Sequence, residues 1–133
     1  MFEVMLIGLG ILAAVGAVVA IRRRQRQAAQ RAGQELLQAT EAGDIAQMAA
    51  LLTQGAEVNA RNAYGWTPLH VAAVGGDPAV VALLLQHGAD VHAQSHIGTT
   101  PLDNALTRGG RKAVLDLLLA HGAKHHGAWD GSF

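Results

Sequence analysis

The four residues Thr67-Pro68-Leu69-His70 return as Thr100-Pro101-Leu102-Asp103 thirty-three positions later. A recurrence at that period describes a stack of short supersecondary units, each burying its apolar face against its neighbours. The pattern extends further: Leu51-Leu52, Gly55-Ala56 and Val58-Asn59-Ala60 stand one period before Leu84-Leu85, Gly88-Ala89 and Val91-His92-Ala93. Residues 34–126 therefore divide into a shortened first unit over 34–61 that lacks the Thr-Pro-Leu-His entry, a complete unit over 62–94 and a last unit over 95–126. Residues 127–133 remain as a tail.

The residue types explain themselves physically. Pro68 and Pro101 suit the first turn of a helix, where a missing amide donor costs nothing, and the hydroxyls of Thr67 and Thr100 can cap that helix. Ala72 and Ala73 keep one helix slim, so that neighbours approach closely. Val80, Val81, Leu84 and Leu85 give a second helix its apolar face. Gly88 and Gly122 follow Leu-rich runs where a helix would end in a left-handed residue, and Gly65 and Gly98 suit tight turns. Each unit reads as helix, turn, helix, loop, and the fold class is an all-α solenoid of about three repeats preceded by one transmembrane helix.

With Asn59-Ala60, Gly65, Gly76, Leu83-Leu84-Leu85 and Gly88-Ala89-Asp90-Val91 added to the Thr-Pro-Leu-His entry, the chain closely resembles the ankyrin-repeat family. The resemblance implies a protein-binding module, neither an enzyme nor a cofactor protein, with a protein partner of unspecified identity. It places recognition on the loop tips and the exposed face of each first helix. In the middle unit these are Ala63, Tyr64, Trp66, Val71 and Val74, and in the last unit His96, Ile97, Thr99, Asn104 and Thr107. Aromatic side chains are favoured in binding hot spots, which singles out Tyr64 for partner contact. Trp66 is read equally as a contact residue and as loop packing.

The last unit departs from the pattern. Leu117-Leu118-Leu119 lies thirty-four residues after Leu83-Leu84-Leu85, so one residue is inserted, and the turn at Arg108-Gly109-Gly110 is where two glycines can absorb it. Asp103 stands where the His belongs, which leaves the usual local hydrogen bond to Thr100 in question.

The amino end carries the second informative feature. Val4 to Ile21 is free of charge over eighteen residues, about 27 Å as a helix and enough to cross a bilayer. Arg22, Arg23, Arg24, Arg26 and Arg31 follow it, whereas only Glu3 precedes it. That asymmetry keeps the basic side, and with it the repeats, in the cytoplasm, as in a single-pass protein of a bacterial inner membrane. The segments are then a span or signal-anchor over 1–21, a basic juxtamembrane stalk over 22–33 with Gly33 as a point of bending, and the repeats. The arginines attract anionic headgroups by about 1 kcal/mol each and act mainly as a topology signal. A cleaved secretory signal, giving a periplasmic or secreted protein that protects or regulates an enzyme, is the alternative. Signal peptides, however, carry their basic residues before the apolar run, not after it. Small residues four apart, such as Gly10 and Ala14, would permit a homodimer through the span.

From Gly33 onward five basic and nine acidic residues leave the repeats near −4, which excludes a nucleic-acid surface. Cysteine is absent, so disulfides and thiol chemistry are excluded. His121, His125 and His126 invite a metal site, but Gly122 should end the helix between them, and His70 and His87 are explained by the repeat. Ser95 and Ser132 lie in no nucleophile motif, and no phosphate-binding glycine loop occurs.

Overall fold

A computed structural model of the chain describes residues 2–124, with side chains described from Ile7 onward. Six helices and no strands are found among them: α1 (Phe2–Ala42), α2 (Ile45–Thr53), α3 (Pro68–Gly75), α4 (Pro78–Gln86), α5 (Pro101–Thr107) and α6 (Lys112–Ala120). The carboxyl-terminal part of α1 packs on α3, and α3 on α5; α2, α4 and α6 form a second row, each on the helix that precedes it in its unit. The result is two layers of three helices.

The period of the sequence is the period of the core. Leu36, Leu69 and Leu102 occupy equivalent places in the first layer and are wholly buried, with Ala39, Ala72 and Ala105 one turn on. In the second layer Leu51, Leu84 and Leu118 repeat in the same way, and Met48, Val80, Val81 and Val114 belong to the same buried cluster. Each large side chain so buried contributes about 1.5–3 kcal/mol, but only while its neighbour unit is in place.

Local chemistry sets the helix ends. In α3 the Nδ1 of His70 meets both the backbone N–H of Thr67 at 3.1 Å and its Oγ1 at 2.9 Å. Asp103 keeps this arrangement in α5, contrary to the question its presence raised: Thr100 N donates to Asp103 Oδ2 at 3.0 Å and Asp103 N to Thr100 Oγ1 at 3.3 Å. A carboxylate is as good an acceptor as imidazole for that amide, so the two form a capping box. Asp44 and Asp77 cap α2 and α4 by accepting from Gln47 N and Ala79 N. Their counterpart Arg111 makes no side-chain cap bond at the start of α6. The extra residue is found in the turn expected for it. Gly109 repeats the positive φ of Gly76, and the additional Gly110 lies so close to the carbonyl of Ala105 that a Cβ would come within 2.6 Å of its oxygen.

α1 is one unbroken helix through the expected span, the stalk and the first helix of the first unit. Gly33 is not a bend. It is buried, and a Cβ there would come 2.7 Å from that of Ala60, so the glycine admits the first loop against the helix. Ile7, Leu9, Ile11, Leu12, Val15, Val18, Val19 and Ile21 are exposed over about two thirds of the circumference of α1, and Gly10, Ala13, Ala17 and Ala20 hold the remaining face. Among the described residues no helix is long and apolar enough to cross a membrane. The described apolar stretch, 7–21, covers about 22 Å. The side chains of Val4, Met5 and Leu6, which the expected span includes, lie outside the described ones.

Candidate recognition groove

The loop before α3 is built by Asn62. Its Oδ1 accepts from the N–H groups of Tyr64 at 2.9 Å and Trp66 at 3.0 Å, while its own N–H donates to the Trp66 carbonyl at 3.0 Å. A short amide side chain that mimics a backbone turn is the usual reason for Asn at such a place. Ser95 does the same work before α5: Thr99 N donates to its Oγ at 3.2 Å, and the two hydroxyls lie 2.7 Å apart.

The two loops are fastened to each other. His96 N donates to the Tyr64 carbonyl at 3.1 Å, and the Arg61 guanidinium donates to the carbonyls of Gly65 and Gln94. Gly65 is needed here on two counts, a φ of +75° and a Cβ position that would fall 2.5 Å from the His96 ring.

His70 ties the second unit to the third. Its Nε2 lies 2.8 Å from the Thr99 carbonyl, an acceptor only, so Nε2 carries the hydrogen and Nδ1 is the acceptor for Thr67. Burial lowers its pKa below the ordinary imidazole value, and the Arg61 charge acts in the same direction; the bond to Thr99 and the Asp103 charge oppose them. The neutral ring is therefore the form that the site is built around. Trp66 lies nearly parallel to this ring, at 18° and 6.3 Å between centroids, so its half-buried indole packs on the unit it belongs to.

Between the loops and the first-layer helices runs a groove of about 700 Å³. Seven of the residues singled out in the sequence line it: Ala63, Tyr64, Trp66, Val71, Val74, His96 and Ile97. Tyr64 is 73% and Ile97 86% exposed, which puts two large apolar bodies in solvent at its rim. Thr99, Asn104 and Thr107 are not brought to it. Thr99 is held by Ser95 and His70, and Thr107 donates to the Asp103 carbonyl at 2.6 Å. Asn104 is buried, and its Nδ2 has no hydrogen-bond partner.

The groove also contains Thr40, Glu41, Asn62 and Gly75. Glu41 stands one period before Val74, and Thr40 one before Ala73, so the register already in hand points to them. They escape notice because the first unit lacks the Thr-Pro-Leu-His entry. Arg22, Arg23, Arg24 and Arg26 are exposed on α1 and belong to no part of the groove. Among the described residues no group of acidic and histidine side chains could hold a metal ion; His125 and His126 lie outside those residues.

A family model described as ankyrin repeats (3 copies) matches residues 36–127. No curated protein matches the chain.

Proposed function

The chain belongs to the ankyrin-repeat family, whose members are protein–protein interaction modules and typically not enzymes, and from that premise we propose that it is a membrane-anchored adaptor. Its groove captures a protein segment that presents apolar side chains next to a basic one. The observation that carries this reading is the convergence of Tyr64, Trp66, Val71, Val74 and Ile97 on one open groove with Glu41 at its edge. Aromatic and aliphatic anchors in a concave site supply most of the affinity of such contacts, and one charge supplies orientation.

Membrane attachment is supported by the exposure of the apolar residues of α1, which water would oppose, and by the arginines that follow them. The repeats are then cytoplasmic. A photocrosslinking amino acid at Tyr64, Ile97 or, as control, Asp116 on α6 tests the groove in cells. A discrete adduct at the first two positions and none at Asp116 is expected; equal labelling at all three would refute the groove. Membrane fractionation, intact mass and protease accessibility test the attachment. An intact, membrane-bound chain cut only from the cytoplasmic side is expected, whereas a shortened soluble product transfers the protein to the secreted class.

A further inference from the structure

Two facts about α1 combine. Its apolar end and its repeat end are one helix, from Phe2 to Ala42, without proline, and its buried glycine, Gly33, is seated against Ala60. The repeat end is also fastened at several levels. Leu36 is wholly buried, and Gln34 Nε2 donates to the Arg61 carbonyl at 3.2 Å. A helix that runs unbroken from its apolar end into a seated repeat end has no joint between its two functions.

Resting on the anchored reading above, we infer that α1 is a rigid mount that holds the groove at a fixed height over the bilayer. The rise of the helix gives that height. Gln34, level with the starts of α3 and α5, lies about 20 Å beyond Ile21, and Glu41 in the groove about 30 Å. A flexible tether would serve a soluble partner better, because it searches more volume. A rigid one raises the effective concentration only for a partner presented at the same height. The occupant is therefore a segment that another membrane protein carries 20–30 Å from the same surface, close to its own span.

The chain has no cysteine, so a single one introduced at Ile97 accepts a donor dye cleanly. The full chain is reconstituted in vesicles of phosphatidylcholine and phosphatidylglycerol carrying headgroup acceptor dyes, and flotation of the chain with the vesicles is recorded in the same samples. Energy transfer should report a narrow distance of 20–30 Å, and a helical insertion of about two turns after Gln27 should lengthen it by about 10 Å. A Gly-Ser insertion of equal length should broaden it. Vesicle-bound protein whose distance ignores the helical insertion overturns the mount while leaving the anchor standing; protein that fails to float overturns both. In cells the helical insertion should cut the Ile97 photoadduct several-fold at unchanged protein level, and an unchanged adduct would refute the membrane-borne partner.

Discussion

Replacing His70 with Leu, the residue that the first unit carries at the equivalent position 37, isolates what the imidazole does between units. The change keeps the site apolar and removes three bonds: Nδ1 to the Thr67 N–H and to its hydroxyl, and Nε2 to the Thr99 carbonyl. Thr67 is wholly buried, so its amide loses its partner with no water to replace it, at a cost of about 1–3 kcal/mol. The half-exposed Thr99 carbonyl can turn to solvent and adds less. A total of about 2–4 kcal/mol lowers the melting temperature of a domain of this size by roughly 10–25 °C. The sign with pH follows from the lowered pKa of His70. The folded state disfavours the imidazolium, so its stabilising contribution is complete above the unfolded value of 6.5 and is lost as pH falls below that, towards the folded pKa. Thermal unfolding of the full chain in detergent between pH 7.5 and pH 5 therefore should show the gap between the native protein and His70→Leu narrowing with acid, the exposed histidines cancelling between the two. A gap below about 2 °C at pH 7.5, or one that widens with acid, would refute the reasoning.

Gly65→Ala, which meets both a left-handed φ and the His96 ring, should cost about 2 kcal/mol or more, whereas Gly88→Ala at a similar φ in open space should cost about 1; chemical denaturation of the two variants ranks them. Arg111→Asp should restore to α6 the cap that Asp44 and Asp77 give α2 and α4, raising stability by about 1 kcal/mol, seen as a melting temperature higher by several degrees. Leu84→Ala, at a wholly buried site between flanking units, should cost about 2–5 kcal/mol and unfold the stack as a whole; separate transitions for the three units would contradict the shared core.

The fold was legible because its signal is repetition, and repetition does not depend on any one residue's propensity. Leu36, Leu69 and Leu102 are buried alike because each holds the same place in its unit, and the inserted glycine betrayed itself by the offset of Leu117-Leu118-Leu119 from Leu83-Leu84-Leu85. Positions that depend on contacts across units were harder. Gly33 looks like a hinge in a stretch of Gln, Ala and Arg, and only the approach of Ala60 gives it a packing reason. Asn104 shares the register of Val71 yet is buried, which its place in the repeat does not foretell. Asp103 preserves the bond to Thr100 because capping asks for an acceptor, and either side chain provides one.

The unbroken course of α1 separates two kinds of constraint that usually travel together. Between Ile21 and Gly33 nearly every side chain faces solvent, so substitutions there should be tolerated as long as the positive charge of the arginines is kept. The number of residues in that stretch is another matter. Adding or deleting one turns the apolar end by about 100° relative to the groove and shifts it by about 1.5 Å. Sequences descended from this one should therefore drift in spelling across the stretch while keeping its basic charge and its length, and changes of length that do persist should cluster near whole turns.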